Sequence, residues 1–295
     1  MELRNIKTFL KVAELGQLAA AAHELGYAQS TVTMQLQQLE KELGFSLFVR
    51  GRGSVELTEF GRRILPLATD MHNLEMEMGT IGRADEELSG RLRVGVIESL
   101  FYSDLIGAVA RFSKQFPRVA LEFRTDSAAA LHKLLTENQV DVIVSFSRLL
   151  DSAYIDVMSS CDVRVVFATT ADNPFSGRSG VSAEDIAGQQ LFLTERESVY
   201  HQALEKRFQS EHIVPSRVYH VGSSHAIKEL VKKTGGVCYL PEYAVAHELR
   251  NGELSVLDTA FETSNVQVIV AQRKEKWHSP QLHGLIEALE DMAWL

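Results

Sequence analysis

Apolar positions along the first part of the chain follow a helical rhythm that single glycines interrupt. A short alanine-rich run, Leu18-Ala19-Ala20-Ala21-Ala22-His23-Glu24-Leu25, is closed by Gly26, a residue able to take the left-handed conformation just past a helix end. From about Gln29 to Leu43 the apolar residues Val32, Leu36 and Leu39 fall at i, i+4 and i+7, so one stripe packs inward. The opposite face carries Gln29, Ser30, Thr33, Met34 and Gln37, neutral groups instead of the Lys/Glu mixture of an ordinary solvated helix. Such a face can reach base edges in a major groove. The pattern predicts a helix-turn-helix, a geometry that also occurs in folds that never touch DNA.

The continuation narrows the reading. Leu43–Arg50 followed by Gly51–Thr58 predicts a two-stranded wing with Arg50 and Arg52 near its tip, suited to phosphate or minor-groove contact. Beyond it Phe60, Ile64, Leu67, Met71, Leu74, Met78 and Ile81 alternate at intervals of four and three, the seam of a coiled coil. Thr58 is placed to cap that helix, and Pro66 should kink it or mark its first turn. The alternative is an amphipathic helix lying on its own domain. Gly79, Gly82 and Ser89-Gly90 then mark a hinge.

After Gly90 strand patterns alternate with helical ones. Strands are expected at Leu92–Ile97, Val119–Arg124, Val140–Phe146, Val163–Thr169, Gln190–Leu193, Arg217–Val221, Val237–Leu240, Leu254–Leu257 and Val266–Ala271. Helices are expected near Leu100–Phe116, Ala128–Asn138, Ala183–Ile186, Val199–Glu211, Ser224–Lys233, Glu242–Arg250 and Pro280–Ala293. The alternation predicts open parallel sheets wrapped by helices, in which ligands sit beyond the carboxyl ends of the strands. That rule points to Glu98, Ser99, Ser127, Phe146, Ser147 and Arg148, and in the later half to Thr194, Glu195 and Gly222-Ser223-Ser224. Each Ser or Thr singly is equally readable as a helix cap, Ser127 and Ser182 above all. Glu98 and Glu195 would repel an anion unless Arg148 or Arg196 compensates, so a zwitterion or amine stays open as a ligand.

Composition changes this picture little. A chain of 295 residues with 45% apolar content can bury two ordinary domains. No apolar run approaches the roughly 18 residues needed to span a bilayer, and Met1-Glu2-Leu3-Arg4 opens an amphipathic helix, so a cytoplasmic protein is expected. The net charge of −9 argues against nucleic acid until its distribution is read. Residues 1–66 carry eight Lys/Arg against seven Glu, a balance of +1, leaving −10 for the rest. DNA contact should therefore be local, with charge gathered at the wing. Cys161 and Cys238 lack CxxC spacing and read as core thiols. His201, His212, His220 and His225 lie on different elements, so no metal is expected, and no nucleophile elbow, P-loop or dinucleotide fingerprint is present, so neither an enzyme nor a cofactor is expected.

The spaced set Phe9, Val12, Ala21-Ala22, Leu25, Gln29-Ser30, Val32-Thr33, Gln35, Leu39-Glu40, Leu43-Gly44, Leu47-Phe48, Arg50, Leu57-Thr58, Gly61 and Pro66 closely resembles the N-terminal region of LysR-type transcriptional regulators. The resemblance extends over the later half, with Thr194-Glu195-Arg196 matching a common segment. It implies a multi-domain α+β protein: a winged helix-turn-helix (1–58), a dimerising linker helix and hinge (59–89), and a two-lobed effector domain (90–295) built like a periplasmic binding protein. Lobe I would comprise about 90–162 with 266–295, and lobe II about 163–265. It also implies a homodimer or homotetramer on an imperfect inverted repeat of double-stranded DNA, a small-molecule effector in the cleft, RNA polymerase as a further partner, and no membrane. Gln29, Ser30, Thr31, Thr33, Met34 and Gln37 would then face bases or nearby backbone, and Arg50 and Arg52 phosphate or minor groove. Three departures matter: Gln17-Leu18 and Ala28 lack the cap hydroxyls common in relatives, Met34 stands where Arg is frequent, and Glu197-Ser198 replace a usual Gly-Cys. Rival readings are a regulator switched by oxidation of Cys161 or Cys238, a cytosolic small-molecule binder without a DNA role, and an enzyme using the cleft.

Overall fold

The computed structural model describes residues 1–50, 55–79, 88–147, 154–274 and 279–292. The chain divides into a smaller unit formed mainly by Met1–Ala84 and a larger one formed by most of the remainder.

In the smaller unit, α1 (Leu3–Leu15), α2 (Leu18–Leu25) and α3 (Gln29–Leu43) pack around Ile6, Phe9, Val12, Ala21, Ala22, Val32, Leu36 and Leu39. Left-handed Gly26 (φ 68°) ends α2, as the pattern predicted, and left-handed Gly44 (φ 82°) ends α3. A two-stranded ribbon follows, β1 (Phe48–Arg50) antiparallel to β2 (Val55–Leu57). Thr58 then caps α4 (Glu59–Met78), its hydroxyl accepting from the Gly61 N–H at 2.9 Å while donating to the Ser46 carbonyl at 2.8 Å. The helix runs on through Pro66 without ending there. The apolar seam of α4 is divided. Ala68 is fully buried, and Ile64 and Met71 pack on the domain's own core, whereas Phe60, Leu67, Leu74 and Met78 are exposed. The reading as an amphipathic helix on its own domain holds for the row of Ile64, Ala68 and Met71, and the other row is left exposed. Ile81 and Gly82 lie outside the described residues.

The larger unit is built on one mixed sheet in the order β4-β3-β5-β11-β6-β9-β7-β8, with β10 (Ser255–Val256) on β6. One parallel trio is β3 (Ser89–Val96), β4 (Arg118–Thr125) and β5 (Val142–Phe146), flanked by α5 (Leu105–Gln115) and α6 (Ala128–Thr136). The other is β7 (Gln190–Leu193), β8 (Arg217–His220) and β9 (Val237–Pro241) with α7 (Ala183–Ala187), α8 (Val199–Ser210), α9 (Ser224–Thr234) and α10 (Glu242–Arg250). Joining them are β6 (Ile155–Thr169) and β11 (Asn265–Arg273); α11 (Pro280–Glu290) follows.

Parallel pairing thus holds inside each trio, but the two joining strands are antiparallel to their neighbours, which corrects the expected purely parallel sheets. Strand β6 is also far longer than the expected Val163–Thr169. Its first part, through Arg164, pairs with β11, and Val165–Ala168 pair with β9, so one strand serves both trios. The expected helix from Leu100 to Phe116 is two elements, a 3₁₀ turn at Glu98–Tyr102 and then α5. Ser103 separates them, its hydroxyl donating back to the Leu100 carbonyl at 2.6 Å. Such side-chain to backbone bonding competes with helix propagation. Ser89-Gly90, expected in the hinge, pair with Arg118 and Val119 and open β3.

Candidate nucleic-acid interface and interlobe site

Helix α3 is aimed by its buried side. Gln35 sits inside the helix crossing, where its Oε1 accepts from the buried Thr8 hydroxyl at 2.6 Å, tying α3 to α1. One turn on, Glu40 reaches the ribbon, its Oε1 accepting from the Leu47 N–H at 2.7 Å and the Phe48 N–H at 3.4 Å. These two residues fix how α3 and the wing lie together. The opposite face is open: Gln29, Ser30, Met34 and Gln37 are exposed, and Thr31 and Thr33 are half-buried. Met34 is 63% exposed on this face. The Thr33 hydroxyl donates to the Gln29 carbonyl at 3.0 Å and keeps its acceptor lone pairs outward. Ala28 makes no side-chain cap at the start of α3, and Gln17 makes none for α2. A cleft of about 330 Å³ runs beside this face, lined by Leu18, Thr33, Gln37, Glu40, Ser46 and Phe48. Arg50 ends β1, while Arg52 lies outside the described residues.

In the larger unit the carboxyl ends of the two trios meet through the 3₁₀ turn. Glu98 accepts from the Ser223 hydroxyl (Oε1, 3.2 Å) and from the Ser224 N–H (Oε2, 3.2 Å) at the start of α9. Ser223 is also the cap of α9, accepting from the Ala226 N–H at 3.5 Å. Ser99 is buried and its hydroxyl lies 2.9 Å from that of Tyr243 on α10. Burial raises the Tyr243 phenol well above its ordinary pKa, against the opposing bond from Ser99. Tyr102, from the same turn, offers its ring to the Lys228 ammonium at 4.1 Å. Lys228 is itself buried and paired with Glu248 at 2.8 Å.

The other expected residues fall around this group. Thr194 is buried at the end of β7, its carbonyl accepting from His201 Nδ1 at 2.8 Å. Glu195 is exposed and lies close to Gly222, where a Cβ would come within 2.9 Å of its Oε1. Phe146 is buried, edge-on to Tyr200 at 5.9 Å between ring centroids. Ser127 caps α6, accepting from the Ala130 N–H at 3.3 Å. Arg148 lies outside the described residues. The structure therefore joins Glu98 to Ser223 and Ser224, sets the neighbouring Ser99 against Tyr243, and leaves Ser127 at a helix cap. It adds Tyr243, Tyr102 and Lys228, which adjacency to strand ends did not single out because they lie inside helices or within a turn read as helix. His201 and His220 stack at 5.1 Å between ring centroids, and no group of three or more His, Cys, Asp or Glu placed to hold a metal ion is found among the described residues. Cys238 is buried and its thiol is pushed up to about 12 by desolvation, which removes the thiolate that oxidation needs. Cys161 and Cys238 sit seven residues apart in register along β6, roughly 23 Å, beyond disulfide reach.

Comparison with known proteins agrees with this geometry. Residues 3–62 match the bacterial regulatory helix-turn-helix protein, lysR family, and residues 85–294 match the LysR substrate binding domain. The uncharacterized HTH-type transcriptional regulator YwqM of Bacillus subtilis is 30% identical over 97% of this chain and 98% of its own. Full-length OxyR from Pseudomonas aeruginosa, in a mutant form, shares the fold with a TM-score of 0.77 at 19% identity, over 99% of each chain. CbnR, solved in complex with its target DNA, superposes with a TM-score of 0.62 at 24% identity over 98% of each chain. The chain belongs to the LysR family: it is a DNA-binding transcriptional regulator with an effector-binding domain. The thiol-switched and DNA-free readings are not favoured. Among the described residues no helix is long and apolar enough to cross a membrane.

Proposed function

We propose that the exposed neutral face of α3 reads an imperfect inverted repeat while the wing supplies charge. Gln29, Ser30, Thr31, Thr33, Met34 and Gln37 face bases or adjacent backbone, and Arg50 and Arg52 face phosphate or minor groove. The observation that carries the reading is the asymmetry of α3. Buried Gln35 and half-buried Glu40 are spent on orientation, and its outward residues have only local hydrogen bonds. With Met34 in place of a basic residue, discrimination comes from amide and hydroxyl contacts and from an apolar touch on a thymine methyl. Solved CbnR is bound to target DNA, which supports the same use of this domain here.

The functional unit is a homodimer, or a dimer of dimers, joined along α4. The exposed row of Phe60, Leu67, Leu74 and Met78 supports that assembly, since large apolar side chains in a line are rarely left to water. The domain limits follow as a DNA-binding region of 1–58, a linker of 59–89 and an effector domain of 90–295, in the cytoplasm. A small polar effector enters the cleft beside Glu98, Ser99, Thr194, Glu195 and Ser223 and shifts the balance between lobe arrangements, which changes half-site spacing and the bend of the DNA.

The test is affinity for the DNA upstream of the chain's own gene at two salt concentrations, for wild type, Gln29→Ala and Arg50→Ala. Losing one phosphate-contacting arginine reduces the salt slope by about 1, and losing Gln29 relaxes sequence preference. A wild type without sequence preference, or two variants that bind as wild type does, would sink the reading.

A further inference from the structure

The donors at the start of α9 that an anionic group in the cleft would use are already taken, by a carboxylate of the chain itself. Ser223 accepts from Ala226 and donates to Glu98, and the Ser224 N–H points at the second Glu98 oxygen. Both donors belong to the second trio's side of the sheet and the carboxylate to the first trio's, 125 residues earlier in the chain. Neighbouring contacts are of a different kind. Ser99 to Tyr243 is a neutral pair, and Tyr102 on Lys228 is a ring over a cation. Glu98 alone brings a full charge to the helix start, where backbone dipoles favour it. Among the described residues no cation is paired with Glu98 or with the nearby Glu195.

We propose that Glu98 is a tethered plug, an autoinhibitory contact that holds the 3₁₀ turn on α9 and keeps the anion position of the cleft filled until an effector displaces it. An effector with a carboxylate or similar oxyanion then competes with Glu98 for Ser223 and Ser224, and displacing the plug frees the Glu98–Tyr102 turn from α9. The consequence for effectors rests on the cleft reading above. The plug itself is a property of the effector-free chain and needs no DNA, so it can be judged separately from that reading.

The Ser224 amide reports the contact directly. Hydrogen exchange is followed at Ser224 and, as a control inside the same helix, at Ile227, whose N–H is held by the Ser223 carbonyl. In the full chain without effector, Glu98→Ala should speed exchange at Ser224 at least tenfold and leave Ile227 unchanged. Glu98→Gln, which keeps the volume and loses the charge, should give a smaller rise confined to the same amide. Acetate, the untethered equivalent of the Glu98 carboxylate, should slow Ser224 exchange again in Glu98→Ala and change nothing in wild type. Unchanged Ser224 exchange in Glu98→Ala would overturn the proposal. So would a rise spread along all of α9 in both variants, which means lost packing, or an acetate titration that restores nothing.

Discussion

Lys228 and Glu248 tie α9 to α10 through an ion pair that is nearly closed to water, with side-chain exposures of 3% and 9% and a separation of 2.8 Å. Their mutual attraction largely offsets the cost of removing two charges from solvent, so the pair contributes little net stability while each half depends on the other. Lys228→Met leaves a carboxylate buried without its cation and should cost about 3–5 kcal/mol. Lost contact between the ammonium and the Tyr102 ring adds roughly 0.5–2 kcal/mol on the same side. Glu248→Met strands the ammonium at comparable cost. The double variant replaces both charges with apolar groups of similar length and should lie near wild type, so the two changes couple by several kcal/mol. For a unit of this size about 2–4 °C of melting temperature accompanies each kcal/mol, so Glu248→Met should melt roughly 6–20 °C lower and Lys228→Met roughly 7–28 °C lower. Calorimetry on the full chain resolves this if the smaller unit's transition stays fixed as an internal reference. Single variants that add without coupling, or a double variant as unstable as their sum, would refute the reasoning.

Three further outcomes are expected. Gly61→Ala brings a Cβ onto the Leu47 carbonyl and within 2.9 Å of Leu57, where the backbone itself must move, so it should destabilise the smaller unit by about 1–3 kcal/mol and weaken DNA binding with the larger unit's melting unchanged; equal melting of both units shows the clash is relieved. Glu40→Ala removes a charged acceptor from two ribbon amides and should cost about 1.5–3 kcal/mol, seen as faster hydrogen exchange at Leu47 and Phe48 while Gln35 holds α3 in place; protected amides at those positions would count against it. Burial raises the Cys238 thiol from 9.0 to about 12, so the folded form keeps a proton that the unfolded form gives up. Its stability contribution is complete below about pH 9 and is lost between 9 and 12, at up to about 1.4 kcal/mol per pH unit. Urea titrations across that range, together with an absence of native-state thiol labelling at Cys238 near pH 8, check this; flat stability or fast labelling contradicts it.

The parts of the fold legible in the sequence are those set by local rules. The limits of α2 and α3 and the cap at Thr58 follow from neighbours within four residues, and they stand where the pattern put them. What was not legible depends on partners far along the chain. The first half of β6, Asp156-Val157-Met158-Ser159-Ser160-Cys161-Asp162, has too many polar residues to read as a core strand. It is extended because β11 pairs with it, and much of it is exposed. The break at Ser103 was hidden because apolar periodicity continues across it, from Leu100 into Leu105. At the candidate site, strand ends pointed to Glu98 and Ser223, and the fold brings these two within hydrogen-bond distance. Nothing local says that a carboxylate and a helix cap 125 residues apart satisfy each other. Phe146 is buried at its strand end, since a residue that ends a strand can be core as readily as rim.

The division of the α4 seam changes what the helix does for DNA reading. Had all its apolar residues faced a partner, the orientation of each reading helix would depend on assembly. Instead Ile64, Ala68 and Met71 are held by the protomer's own core, and Lys7 on α1 pairs with Glu75 at 2.8 Å further along α4. That ion pair is partly exposed and adds little, so the apolar row sets the angle between α4 and the domain. Gln35 bound to Thr8 then passes the same frame from α1 to α3. In a dimer built on Phe60, Leu67, Leu74 and Met78, the partner therefore sets the distance between two reading helices, whose tilt each protomer has already set. Half-site spacing and base contact become separable properties. Changing Leu67 alters the first and changing Gln29 the second, so a variant of either that alters both would place the coupling inside α4.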